Sequence, residues 1–155
     1  MKPLFTLSRA TASDRSQLIQ FWTKLDDSLP PTAFGSSPSG KKKLYQKLAR
    51  QLTSMDHGFA LMAWREKQPV ACVCGHIYDK DESINTPVGI LYNLWVEPDA
   101  RRQQLATQLV DEAEVRLRSL GAKSFQVAWR NDPTAESFWR RRGYQGYETM
   151  AGKHS

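Results

Sequence analysis

The stretch VEPDARRQQLATQLVDEAE, residues 96–114, restricts the possible folds more than any other part of the chain. An apolar run ends at Pro98, two arginines follow, and apolar residues then recur at helical spacing. Ala106, Val110, Ala113, Leu117 and Leu120 stand four, three, four and three apart, and Gly121 supplies a left-handed stop to a helix of about 104–120. Upstream, TPVGILYNLWVEP reads as a strand; downstream, KSFQVAW (123–129) reads as another. A strand–helix–strand crossover is right-handed, which makes the strands near 88–97 and 124–130 parallel or splayed neighbours. Where the first strand hands over to the helix, unpaired N–H groups and the positive end of the helix dipole point at one spot, a geometry that binds phosphate. Arg101 and Arg102 add charge-assisted donors, and Ala106 and Thr107 are small enough to let a diphosphate approach the backbone. Where such a cradle usually has Gly, this chain has Gln104. A solvated basic turn would use the same residue types, so this segment alone leaves both readings open.

The remaining elements follow from pattern. LFTLSRA (4–10) is a short strand, and Ser13 or Asp14 caps a helix through Asp26 whose apolar face holds Leu18, Ile19, Phe21, Trp22 and Leu25. Residues 26–40 concentrate Pro, Gly and Ser and read as an irregular loop. A second helix over about 41–54 carries Leu44, Leu48 and Leu52, with Lys41, Lys42 and Lys43 turned to solvent in its first turn. HGFALMAWRE and PVACVCGHIYD form a hairpin, and with the strand ending at Pro98 they make three antiparallel neighbours. Asp132 caps, and Pro133 opens, a last short helix that Gly143 ends, and YQGYETM (144–150) reads as a final strand.

At 155 residues this order, without repeat or linker, is read as a single domain over 1–155. No run approaches the roughly 18 apolar residues of a membrane span, and the N-terminal stretch is too polar for a secretory signal, so a cytoplasmic protein with no membrane partner is expected. Cys72 and Cys74 point to one face of their strand, unsuited to a disulfide, and read as buried thiols; no metal-ligand set is expected. The net charge of +6 favours an anionic partner. Nucleic acid is set aside, because Lys41–Lys43, Arg101–Arg102 and Arg140–Arg142 fall on three separate elements without interleaved stacking aromatics.

Val96, Pro98, Arg101, Gln104, Leu105 and Ala106 resemble the acetyl-CoA motif V-x-P-x-x-R/Q-x-x-G-x-G/A of the GNAT superfamily of N-acetyltransferases. A second motif of that family, approximately N-x-x-A-x-x-F/L-Y-x-x-x-G-F, is matched at Ala135, Phe138, Gly143 and Tyr144. Trp139 stands where the family commonly has Tyr, and Asn131 is out of register by one, since the count back from Gly143 lands on Asp132. Element order agrees along nearly the whole chain. The resemblance implies an α+β fold in α/β layers: a central mixed, mostly antiparallel sheet of six or seven strands with about four helices.

It also implies a reaction, transfer of an acetyl group from acetyl-CoA to a primary amine of a small molecule or peptide by direct attack on the thioester. The main chain of Leu94, Trp95 and Val96 would bind the carrier, with the Leu94 N–H as oxyanion donor. Arg101, Arg102, Gln103, Gln104, Leu105, Ala106 and Thr107 would hold its diphosphate, with Asn131 and Trp139 alongside. The candidates for general base are Tyr92, which also reads as a packed strand aromatic, and a water chain; His76 is open to both readings too, with a structural histidine preferred. Indole is no acid, which leaves three routes open: protonation of the thiolate by Tyr144, protonation by water, or departure as a thiolate stabilised by helix dipoles and arginines. The loop 26–40 roofs the acceptor cleft, where Asp26 and Asp27 would attract a cationic amine and Phe34 and Tyr78 would line an apolar wall. A polyamine, an aminoglycoside-like amine or a lysine fits that pair, and a homodimer is compatible with the resemblance. A non-catalytic acyl-CoA binder, which needs the cradle but no acid, is the alternative that Gln104 and Trp139 keep open.

Overall fold

A computed structural model of the chain describes residues 4–29, 38–78 and 86–155. Five strands form one sheet in the order of the sequence: β1 (Thr6–Arg9), β2 (Gly58–Arg65), β3 (Gln68–Tyr78), β4 (Val88–Val96) and β5 (Ser124–Val127). The first four are antiparallel neighbours, and β5 lies parallel to β4, as a crossover through a helix requires. The helices are α1 (Arg15–Ser28), α2 (Pro38–Leu52), α3 (Leu105–Ser119) and α4 (Pro133–Arg141).

Period-two alternation along β2 and β3 sends side chains to two cores, which is why both strands read as nearly continuous apolar runs. On one face Phe59, Leu61, Ala71 and Val73 meet Leu105, Leu109, Val110, Ala113 and Leu117 of α3 and Trp139 of α4. On the other, Ala60, Met62, Cys72 and Cys74 meet Leu18, Phe21 and Trp22 of α1 and Ala49 and Leu52 of α2. Helices therefore cover both faces of a mostly antiparallel sheet, the layered α+β arrangement expected. Cys72 and Cys74 are free, share the α1/α2 face, and are fully buried; burial pushes the Cys72 thiol up to about 12 and raises Cys74 as well. At Gly89 of β4 an added Cβ would come within 2.9 Å of the Leu117 side chain, so glycine lets α3 lie close on the strand that precedes it.

Three expectations are corrected. The described sheet has five strands, not six or seven, because residues 144–150 form no strand. Their apolar residues find no face to cover: Tyr147 is 71% and Met150 98% exposed. In α2, Leu52 is buried but Leu44 is exposed, since residues four apart drift by about 40° per step around a helix of 3.6 residues per turn. Lys41 is not simply solvated; it pairs with Asp26 of α1 at 3.3 Å.

Two features of β4 open one end of the sheet. Pairing with β5 runs from Val88↔Ser124 to Leu91↔Val127 and stops there, while β4 continues to Val96. In the ladder with β3, Cys74 pairs with Tyr92 but Cys72 pairs with Trp95, so β4 carries one extra residue. Asn93, at φ 53°, takes up this bulge.

Candidate active site

The junction from β4 to α3 is a turn of helical type over Pro98–Ala100 followed by four residues before Leu105. Ala100 is buried and its N–H donates to Glu97 O at 2.9 Å, which fixes the turn against the core. Arg102 and Gln104 both adopt left-handed backbone, at φ 62° and 59°. Gln104 is the N-cap of α3, and its carbonyl accepts the first intrahelical bond, from Gln108 N at 3.0 Å. The N–H groups of Leu105, Ala106 and Thr107 therefore precede the helical ladder and project from its end, with no side chain of Gln104 folded over them. Leu105 anchors this end in the core at 1% exposure, while Arg101, Arg102, Gln103 and Gln104 are exposed around it. A helix mouth with uncapped donors, flanked by cations and shaped by left-handed residues, is suited to a diphosphate.

Beside this mouth lies the unpaired part of β4. Glu97 N donates to Val70 O of β3 at 2.8 Å, so its neighbour Val96 faces the opposite edge. There the Val96 carbonyl accepts from Arg101 Nε at 2.9 Å, and the guanidinium lies 4.9 Å from the Trp95 ring centroid. By the same alternation the Leu94 N–H also faces the open edge, while the Trp95 main chain faces β3, opposite Cys72. Of the three β4 residues expected at the carrier, Leu94 and Val96 thus present main-chain groups there and Trp95 presents its indole to the α1/α2 core.

Past β5, Asn131 is exposed, and Asp132, which stands at the motif's position, caps α4 by accepting from Thr134 N at 3.0 Å. Trp139 is 4% exposed and packs edge-to-face on Phe138 and Tyr144, each at 5.1 Å between centroids. Tyr144 is poorly placed as an acid. Burial and the nearby Glu114 raise its phenol, and Glu114 lies nine residues into α3 from Leu105, about 13 Å from the helix mouth at 1.5 Å per residue.

On the α1/α2 face, the last turns of α1 are tied to both sides of the opening. Lys24 pairs with Glu97 at the end of β4 at 2.5 Å, and Asp26 pairs with Arg130 beyond β5 at 3.4 Å. Asp26 also accepts hydrogen bonds from Tyr45 and from Lys41. Burial opposes its ionisation, but those bonds and the charges of Lys41 and Arg130 prevail and hold its carboxyl below the ordinary value. Asp26 is thus a paired anion, whereas Asp27 is exposed. Tyr78 is 47% exposed on the face that carries Cys72 and Cys74, and Phe34 lies outside the described residues.

Tyr92 follows the last β4–β5 pair, where the strands begin to part. Its hydroxyl is 3.2 Å from His76 Nδ1 of β3, and the rings meet edge-to-face at 5.3 Å. Burial, with a further push from Cys74, raises the phenol well above its usual value. Burial and then the nearby charge of His57 lower His76. In the sequence these two residues stand apart; no local pattern pairs residues on different strands, and only the register of β3 on β4 does. Tyr45 and Arg130, the partners of Asp26, carry no sequence signal for the same reason.

Residues 20–144 match the sequence model of the acetyltransferase (GNAT) family. No curated protein matches the chain. Several solved structures share its fold. A putative acetyl transferase from Pyrococcus furiosus is 18% identical, with a TM-score of 0.79 over 97% of this chain and 99% of that one. Glucosamine-6-phosphate N-acetyltransferase from Arabidopsis thaliana is 17% identical, with a TM-score of 0.72 over 98% and 99%. A predicted acetyltransferase from Clostridium acetobutylicum, crystallised with acetyl-CoA, is 14% identical, with a TM-score of 0.76 over 97% and 96%.

Proposed function

The chain belongs to the acetyltransferase (GNAT) family, and from that premise we propose that it transfers the acetyl group of acetyl-CoA to a primary amine by direct attack on the thioester. The observation that carries the reading is a coincidence of two open backbone features. The free N–H groups at the mouth of α3 stand at the end of the same strand whose pairing with β5 has lapsed. Leu105, Ala106 and Thr107 donate to the diphosphate, Arg101 and Arg102 neutralise it, and the unpaired edge of β4 takes the extended arm in the manner of an added strand. The Leu94 N–H receives the charge that develops on the thioester oxygen. Because these donors are main-chain groups, they tolerate Gln104 and Trp139 in place of the family's Gly and Tyr.

A carrier held at α3 reaches the opening from one face of the sheet, which leaves the α1/α2 face to the amine. There Asp27 and Tyr78 remain available to it, whereas Asp26 acts by holding Lys41, Tyr45 and Arg130 together as part of the cleft wall. The buried Trp139, which supplies no acid, favours one rival reading, a protein that binds acyl-CoA without turning it over.

Two measurements test the proposal. Acetyl-CoA at a hundred times its dissociation constant adds about 2.7 kcal/mol of stability, a rise in Tm of roughly 5–10 °C, and the double variant R101A/R102A loses most of it. Release of free thiol is then followed with spermidine, an aminoglycoside and a lysine peptide. Binding without release from any of them favours the rival, and an undiminished thermal shift in the double variant rules out residues 101–107 as the phosphate site.

A further inference from the structure

Proton removal from the attacking amine needs an acceptor at the opening, and no carboxylate is among the groups that act on Tyr92, the side chain where β4 and β5 begin to part. From the contact between β3 and β4 we infer that Tyr92 and His76 form a two-residue relay. The Tyr92 hydroxyl takes the amine's proton while handing its own to His76 Nδ1. Resting on the acetyl-transfer reading, this places the end of the proton path at a residue that the sequence favours as structural.

Three observations support the relay. Tyr92 occupies the fork where β4 and β5 separate, two residues before the Leu94 N–H that faces the opening. The extra residue at Asn93 puts the side chains of Tyr92 and Trp95, three apart, on the same α1/α2 face. The phenol thus lies on the side of the sheet opposite α3, where the amine enters. His76, with the parity of Cys72 and Cys74, projects from β3 to that face, and its Nδ1 lies 3.2 Å from the Tyr92 oxygen. Both residues are partly exposed, so a solute can reach them.

Their protonation states fit these roles. The Tyr92 phenol, raised by burial, keeps its proton near neutral pH and serves as donor to a neutral imidazole, not as a standing phenolate. His76, lowered by burial and by His57, is neutral at pH 7 and has one nitrogen free to accept. Cys74 from β3, which acts on Tyr92, and His57 before β2, which acts on His76, are the titratable neighbours that act on the pair among the described residues.

The step balances. The neutral amine attacks the thioester carbon, and its nitrogen becomes cationic as the oxygen becomes anionic at the Leu94 N–H. One N–H proton passes to the Tyr92 oxygen as the Tyr92 proton passes to His76, leaving an imidazolium. Collapse breaks the C–S bond, the thiolate takes a proton from water, and His76 returns its proton to water. His76 never touches the acceptor and is a positioning residue for Tyr92.

The test compares wild type with H76Q, H76N, Y92F and the double variant H76Q/Y92F, using acetyl-CoA and whichever of spermidine, the aminoglycoside and the lysine peptide reacts fastest. Each variant is first shown to keep the acetyl-CoA thermal shift. Dividing wild-type kcat by variant kcat at each pH cancels the amine's own titration. The expected ratio for H76Q is on the order of 10²-fold at pH 8, with KM for acetyl-CoA unchanged. Because the relay needs neutral His76, that ratio falls towards one as pH drops below the lowered pKa of the imidazole. Y92F behaves alike, and the double variant loses no more than either single one. A ratio that does not fall as the wild-type imidazole becomes protonated, or losses that add, overturns the relay and leaves the acetyl-transfer reading standing. Wild-type protein that releases no thiol with any amine overturns both.

Discussion

At Gln104 the chain accepts a left-handed backbone, φ 59°, which a residue with a Cβ adopts at a cost of about 1 kcal/mol relative to glycine. The same conformation completes the mouth of α3, so the strain sits where the diphosphate is proposed to bind. Replacing Gln104 with Gly is therefore expected to stabilise the protein by about 1 kcal/mol, a rise in Tm of about 2–4 °C, while Gln104→Ala brings no gain. Thermal unfolding of the two variants without ligand checks this, and equal melting temperatures would contradict it. The need for a special conformation at residue 104 was legible from the motif. That Arg102, two residues earlier, shares it was not, because nothing in the sequence marks an arginine at positive φ.

Between elements, Asp26 has the most connections. One carboxylate joins α1 to α2 through Tyr45 and Lys41 and to the segment after β5 through Arg130. Its folded pKa lies below the ordinary value of 3.8. The stabilisation it gives is thus fully present above the unfolded value and is lost as pH falls through the folded one. Asp26→Asn is expected to cost about 1.5–3 kcal/mol at pH 7, a typical range for hydrogen bonds to a charged group. The gap between wild type and variant should hold steady above about pH 5 and narrow towards pH 2 in urea titrations. A gap that widens on acidification would reverse the sign assigned to this pair. Sequence periodicity located α1 and α2 within a few residues, since helical spacing is a local property. It left Asp26 as a bait for cations, because its partners stand 15, 19 and 104 residues away and no local rule relates them.

For the molecule as a whole, the proposed function depends on a sheet that stops being a sheet at one place. The Leu91 N–H faces β5 within the paired region, while the Leu94 N–H faces the same way after β5 has ended. Amide exchange should show this split: Leu91 protected in the free protein, Leu94 exchanging faster, and acetyl-CoA slowing Leu94 together with Leu105, Ala106 and Thr107. Protection of Leu94 that is already equal to that of Leu91 without ligand would mean the strands do not part. By itself the sequence determined the four helices, the first five strands and their order, and the cluster of arginines and small residues at the start of α3 that is proposed to take phosphate, because each rests on periodicity or turn chemistry within a few residues. The tertiary structure alone decided where β4 and β5 separate, which face Tyr92 takes after the extra residue at Asn93, that His76 meets it, and that residues 144–150 add no strand. Those outcomes depend on strand register and on which surfaces remain to be covered, and both are settled only when distant segments pack against one another.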